Sequence, residues 1–158
     1  MVVGGLAGTI MTAVARAPAT GDTGRAMSQE NVEMFRRNVE AFNRGDVEAW
    51  LETYHPDASF APISAPIAGV YRRHAGLRRW FADNRESFET FSVAFTDIRD
   101  LGDDRLLVIG TIHLRARGSG IETNVPTAAI ATWREGLLID WKDYGDPAMA
   151  LEAVGLRE

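Results

Sequence analysis

The stretch Gly136-Leu-Leu-Ile-Asp-Trp-Lys-Asp-Tyr-Gly-Asp-Pro147 is the part of this 158-residue chain from which the fold is best interpreted. Its alternation over residues 137–144 predicts a final β-strand, with Ile139, Trp141 and Asp143 on one face. A carboxylate two residues after a tryptophan, on the same face, lies either at a sheet rim or in a cavity. We therefore expect a pocket, with the rest of the chain supplying its walls.

Apolar residues upstream recur first at helical spacing. Val32, Phe35, Val39 and Phe42 predict a first helix that starts after a cap at Ser28 and stops at Gly45. A short second helix is expected from Val47 to Tyr54 and a third from about His74 to Phe88. Arginines at 72, 73, 78, 79 and 85 make this region basic. We interpret them as a solvated helix face, because no phosphate-binding glycine loop accompanies them.

Strand patterns dominate the second half of the chain. A short strand is expected at 58–63, and longer ones at 91–99, 105–117, 121–133 and 137–144, with a short C-terminal helix from Pro147. This order predicts an α+β fold in which a cone-shaped, curved antiparallel sheet wraps around three helices. Residues 106–109 are apolar on both faces of their strand, so we expect that half of the strand to be covered on both sides.

Composition excludes several classes of function. The net charge is −5 with no long basic run, so we predict no nucleic-acid partner. The absence of cysteine removes thiolate chemistry and disulfides. No apolar run has the length of a membrane span, so no membrane partner is predicted. We expect a cytoplasmic protein.

Residues 1–26 differ in kind from the remainder, being rich in small residues, glycine and proline. We predict a disordered N-terminal tail at 1–26 and one domain at 27–158, with Met27 as an alternative natural start. A secretory signal is the other interpretation, since Ala15-Arg-Ala17 fits a cleavage site. It lacks the cationic start of such signals, because the first arginine is Arg16.

Several motifs together resemble the SnoaL-like family of the nuclear transport factor 2 superfamily. They are Phe42-Asn-Arg-Gly-Asp46, Trp50, His55-Pro-Asp-Ala58, Gly69-Val-Tyr71, Leu77-Arg-Arg-Trp80 and Ile139-Asp-Trp-Lys-Asp-Tyr144. The resemblance covers about residues 28–156. It implies a nuclear transport factor 2-like, cystatin-like roll with a central apolar pocket, and usually a homodimer. It implies no single chemistry, because the fold hosts isomerases, cyclases, hydrolases and binding proteins.

The resemblance also shows which machinery is missing. Asn38 stands where ketosteroid isomerases place a tyrosine, and Pro62 about where they place an aspartate base. Limonene epoxide hydrolases use an Arg-x-Asp pair near the position of Thr111-Ile-His113, and Asp143 matches their final aspartate. Isomerisation by the ketosteroid machinery is therefore not expected, and His113 is the candidate substitute for the missing aspartate.

The candidate catalytic residues are accordingly Asp143 and His113. If both face inward, a carboxylate–imidazole pair results that can move a proton near neutral pH. The alternative is a histidine of the sheet face and an Asp143 paired elsewhere. The candidate ligand-binding residues are Trp141, Phe60, Trp80 and Asn124. No metal site and no cofactor are predicted, since the three histidines show no ligand spacing.

Two classes of function remain open. The first is a cofactor-independent isomerase, cyclase or hydrolase that acts on a small apolar carbonyl or hydroxyl compound by acid–base catalysis. The second is a non-catalytic domain that binds a small apolar ligand. In either case we predict a homodimer that forms through the outer face of the sheet.

Overall fold

The computed structural model describes residues 14–16 and 21–155, with side chains from residue 29 onward. Within that part the helices are α1 (Gly21–Asn43), α2 (Val47–Glu52), α3 (Ala65–Ala68), α4 (Arg73–Ser87) and α5 (Pro147–Ala153). The strands are β1 (Val14–Arg16), β2 (Tyr54–Ala61), β3 (Tyr71–Arg72), β4 (Phe88–Gly102), β5 (Arg105–Ala116), β6 (Glu122–Arg134) and β7 (Leu137–Asp143). This α+β order, with three main helices before four long strands, confirms the predicted fold class.

The described strands form one sheet in the order β1-β4-β5-β6-β7-β2-β3. Strands β4 to β7 are an antiparallel meander. The sheet is nevertheless mixed, because β2 runs parallel to β7 and β1 runs parallel to β4. The predicted antiparallel sheet is confirmed for the four long strands, and the two parallel pairs lie outside this meander. Strand β2 comes before the meander in the sequence but lies beside its last strand, β7, and runs in the same direction as that strand.

Bulges bend the sheet around the helices. The pairing of β4 with β5 shifts at three points, one of them between Phe95 and Asp97. Opposite that point stands Gly110, where an added Cβ would lie 2.1 Å from the carbonyl oxygen of Ala94. The two backbones can approach this closely only because residue 110 has no side chain. The result is a concave face that receives α1, α2 and α4.

The end of α1 is fastened to the sheet by one side chain. Asn43 donates from Nδ2 to the carbonyl oxygen of Val93 at 2.9 Å and accepts from the Val93 amide at 3.0 Å. Gly45 then turns the chain with φ of 78°, and Asp46 caps α2 by accepting from the amide of Ala49. The motif at residues 42–46 thus sets where α1 meets β4 and where α2 begins.

The last strand contains one irregularity that simple alternation does not predict. Trp133 of β6 pairs with Leu138 and Thr132 pairs with Asp140, so Ile139 is an extra residue in β7. Leu138, rather than Ile139, therefore packs in the inner core beside Trp141. The predicted shared face of Trp141 and Asp143 lies beyond the bulge and is confirmed.

Helix α5 covers the outer face of the sheet. Leu107, Ala128 and Ile130 are buried there against Ala150 and Leu151. The apolar pattern on both faces of β5 is therefore accounted for within one chain. That pattern was the reason for predicting a homodimer, which stays a prediction.

Part of the predicted tail is in regular structure. Val14–Arg16 pairs with β4 through Val14 and Ile98, and α1 starts at Gly21, six residues before the expected domain boundary. The disordered tail at 1–26 and the domain at 27–158 stay predictions. Residues 1–13 and 17–20 lie outside the described part of the chain. No helix in the described part combines the length and apolar character needed to span a bilayer.

Candidate active site in the central cavity

A cavity of about 230 Å³ lies between the concave face of the sheet and helices α1, α2 and α4. Its wall is mainly aromatic, from Phe42, Trp50, Tyr54, Phe60, Trp80, Phe88, Phe91, Phe95 and Trp141. Its polar lining consists of Asn38, Ser64, Asn84, Thr127 and Asp143, besides the Tyr54 hydroxyl. A concave, largely apolar space with a few polar groups is the usual form of a small-molecule site.

Three of the predicted ligand-binding residues line this cavity. Phe60 and Trp80 are in contact, with ring centroids 4.6 Å apart, and Phe60 stacks at 6.3 Å on Trp141. The rings come from β2, α4 and β7, so each element places one wall. Because such ring pairs fix one another's orientation, this part of the cavity is preformed.

Asp143 is the acidic residue of the described lining, which contains no Lys, Arg or His. Its Oδ1 accepts from the backbone amides of Gly145 at 2.8 Å and Ala128 at 3.4 Å, and its Oδ2 accepts from the Thr127 hydroxyl. Burial raises the pKa of the Asp143 carboxyl, and these three donors oppose that rise. Oδ2 keeps capacity for one more hydrogen bond, which a ligand in the cavity can supply.

The predicted pair of Asp143 and His113 is wrong. His113 lies on the outer face of β5, where its ring nitrogens are 2.8 Å from Oδ1 of Asn124 and 3.1 Å from Oε1 of Glu122. Its neighbours Ile112 and Leu114 face the cavity instead. On the intervening strand, His113 pairs with Asn124 and Asp143 with Ala129, five positions or roughly 16 Å apart. His113 therefore contributes nothing to this cavity and does not replace the aspartate of the hydrolases.

Asn124 is likewise misplaced by the sequence prediction. It pairs with His113, projects from the same outer face and does not line the cavity. Alternation along β6 places Val125 and Thr127 on the opposite face from Asn124. Thr127, which is 1% exposed, is the residue of this strand that reaches Asp143.

Two polar residues that line the cavity were not predicted as site residues. Tyr54 starts β2 and is 2% exposed, and burial raises the pKa of its phenol well above its usual range. It therefore stays a neutral hydrogen-bond donor at physiological pH. Asn38 of α1 donates to the Thr53 hydroxyl at 2.9 Å. The sequence assigned Tyr54 to the end of a helix, which concealed its inward direction.

Comparison with known proteins agrees with this architecture. The chain belongs to the SnoaL-like domain family, whose model matches residues 35–141. This confirms the resemblance drawn from the motifs. No curated protein matches the sequence significantly.

Solved structures show the same fold. A nuclear transport factor 2-like protein of unknown function from Burkholderia pseudomallei has a TM-score of 0.67 at 19% identity, over 80% of this chain and 98% of its own. TerC, co-crystallised with polyporic acid, has a TM-score of 0.65 at 23% identity, over 72% of this chain and 89% of its own. A Catenulispora acidiphila protein with a ketosteroid isomerase-like fold was solved in complex with trimethylamine. It has a TM-score of 0.65 at 18% identity, over 78% of this chain and 93% of its own. At these identities the likeness establishes the nuclear transport factor 2-like fold.

Proposed function

We propose that this protein binds one small, largely apolar carbonyl or hydroxyl compound in the central cavity, with Asp143 as its polar anchor. The main observation behind this proposal is a cavity of about 230 Å³ whose aromatic walls surround one partly buried carboxyl group. A protonated Asp143 donates to a ligand carbonyl, and an ionised one accepts from a ligand hydroxyl. The small molecules bound to TerC and to the Catenulispora acidiphila protein support a ligand-binding use of the fold.

Catalysis by Asp143 alone is the second candidate. A buried carboxyl whose pKa is raised toward neutrality suits general acid–base chemistry, and the burial of Asp143 shifts its pKa in that direction. In such a reaction the carboxylate takes a proton from the carbon next to a carbonyl, which leaves an enolate, and the acid then returns a proton. An isomerisation or a ring closure needs only this one group, whereas a hydrolysis also needs a positioned water. No cofactor enters this scheme.

Asp143→Asn and Asp140→Asn form a matched pair of variants for testing the anchor. Both residues belong to β7 and burial raises the pKa of both, but Asp140 points away from the cavity. Asparagine at 143 keeps an oxygen for the amides of Gly145 and Ala128, so the turn into α5 is retained.

The first measurement is a thermal-shift screen of the wild type with small aromatic and alicyclic ketones and alcohols. A ligand present at about 100 times its Kd adds about 2.7 kcal/mol to the free energy of unfolding. We expect hits whose shift is reduced in Asp143→Asn and retained in Asp140→Asn. Equal shifts in all three proteins would remove Asp143 as the anchor, and no hit at all would remove the binding proposal.

A second measurement separates binding from catalysis. Each ketone that binds is incubated with the protein in D₂O, and deuterium uptake next to the carbonyl is followed by NMR. A catalyst exchanges that hydrogen in the wild type and in Asp140→Asn, and loses most of the typical 10²–10⁴-fold effect of acid–base catalysis in Asp143→Asn. Binding without exchange for every ketone would leave the non-catalytic function.

A further inference from the structure

A second concavity, the Arg85 groove, lies on the other side of one wall of the central cavity. It has a volume of about 190 Å³ and is lined by Arg44, Gly45, Phe81 and Arg85, among others. Phe42, Asn84, Phe88 and Phe91 line both the groove and the cavity. Asn84 and Phe88 are only partly buried, so the boundary between the two spaces consists of side chains that solvent reaches.

Arg85 has no carboxylate partner among the described residues. Its Nη2 donates to the carbonyl oxygen of Gly45 at 2.9 Å, and its guanidinium lies 5.3 Å from the ring centroid of Phe81. A Cβ at position 45 would lie 1.9 Å from that Nη2, so the guanidinium is seated where only glycine leaves room. Most of its five donor hydrogens remain available to a ligand.

The acidic groups and carbonyls nearby are already occupied. Glu89 lies 3.3 Å from Arg115, which also holds Glu122 at 3.2 Å. The free carbonyls at the end of α4 accept from Arg117, at 2.7 Å for the oxygen of residue 85 and 3.3 Å for that of Phe88. The negative end of the helix dipole is thereby offset. The charged residues in the described lining of the groove are Arg44, Arg85 and Glu89. Arg44 lies 3.6 Å from Asp46, so Arg85 is the cation of this lining that has no carboxylate partner.

We propose that the cavity and the Arg85 groove form one continuous binding site for an amphipathic ligand, with an apolar body in the cavity and a carboxylate at Arg85. Arg85 of the groove supplies the positive charge. The ligand extends from the cavity into the groove between the side chains that line both spaces. This inference rests on the proposed binding function and adds the class of ligand, an apolar acid. Arg85 is exposed, as the interpretation of the arginines as a solvated face expects, and its guanidinium contacts Gly45 and Phe81.

Two fluorescent probes with the same aromatic body test the ligand class. Anilinonaphthalene sulfonate carries an anionic group that stands in for the carboxylate, and N-phenyl-1-naphthylamine carries none. We expect the wild type to bind the anionic probe about fivefold more tightly, the scale of one partly exposed charge pair. Arg85→Gln is expected to abolish this preference, while Arg79→Gln, on the same helix but outside the groove, retains it.

A cavity variant tests whether the two spaces act as one. Leu114 lines the cavity and not the groove, so Leu114→Phe narrows the cavity alone. The continuous site predicts weaker binding of both probes, with folding checked by the melting temperature. Undiminished binding of the anionic probe in Leu114→Phe would overturn it. The continuous site would also be overturned if the wild type did not prefer the anionic probe, or if Arg85→Gln kept that preference. In either case the proposed binding function would stand as long as both probes bind. If neither probe binds the wild type, the binding function and this inference fall together.

Discussion

Thr127 of β6 donates a hydrogen bond from its hydroxyl to Oδ2 of Asp143, which lies near the end of the neighbouring strand β7. This contact determines which way the carboxyl of Asp143 faces. The two backbone amides hold the other oxygen, so the group is oriented from three sides while burial disfavours its charge. Stability and ligand binding should therefore both depend on the protonation of Asp143.

The first prediction concerns pH. The pKa of Asp143 in the folded state is raised above its ordinary value of 3.8, so the folded protein holds this proton more tightly than the unfolded chain. The free energy of unfolding contributed by Asp143 therefore falls as pH rises from about 3.8 through the raised value, and is constant above it. Each pKa unit of difference corresponds to about 1.4 kcal/mol.

Urea denaturation of the wild type and Asp143→Asn across that range measures this contribution. The variant cannot titrate at position 143, so the difference in unfolding free energy, wild type minus variant, is expected to decrease with rising pH and then to level off. A difference that increases with pH would mean that the ionised carboxylate is the favoured form in the folded protein.

Thr127→Val is the second prediction. It removes the hydroxyl that lowers the pKa of Asp143, so that pKa should rise further, and the protein should lose about 1–3 kcal/mol because a buried oxygen loses its donor. The carboxyl carbon of Asp143, followed by NMR against pH, reports the shift. Thr127→Ser keeps the hydroxyl and should titrate close to the wild type. An unchanged titration in the valine variant would show that the Thr127 hydroxyl does not influence the pKa of Asp143.

How far the sequence predicted the site depended on whether the signal was local. Trp141 and Asp143 are two residues apart on one strand, so alternation alone placed them on the same face. The bulge at Ile139 was not predictable in this way, because it depends on how β7 pairs with β6. Ile139 was therefore predicted on the inner face, where Leu138 lies instead.

The failure of the histidine–aspartate pair has a similar physical origin. His113 and Asp143 belong to strands separated by β6, and their relative faces and positions follow from two registers that the sequence does not encode locally. Thr127 was missed for the same reason, since only the pairing of Ala129 with Asp143 brings it beside the carboxyl group. The general fold could be predicted without knowing the strand registers, because the order of the elements and the motifs at the helix ends indicate it.

Asn43 gives the third prediction. Asn43→Ala removes two hydrogen bonds between the end of α1 and Val93, and should cost about 1–3 kcal/mol because it leaves the amide and carbonyl of a strand without their partner. Chemical denaturation measures the loss. The neighbouring Arg44→Ala, which alters an exposed side chain, should stay within about 0.5 kcal/mol of the wild type. Equal effects from the two variants would show that the asparagine has no special part in joining α1 to β4.

The last prediction concerns the outer face of the sheet and the state of assembly. Leu151 of α5 is 3% exposed and packs over the cluster that contains Leu107 and Ile130. Leu151→Ala should cost about 2–5 kcal/mol and leave apolar surface of the sheet less well covered. Met149, on the same helix and 57% exposed, is the matched control, and Met149→Ala should change stability by less than about 0.5 kcal/mol.

Light scattering on the same samples then tests how the predicted homodimer relates to this face. If α5 is the natural cover, Leu151→Ala should increase self-association relative to the wild type and Met149→Ala should not. If the wild type is already dimeric and Leu151→Ala weakens the dimer, the outer face is itself part of the interface, and α5 acts as a contact surface rather than as a cover.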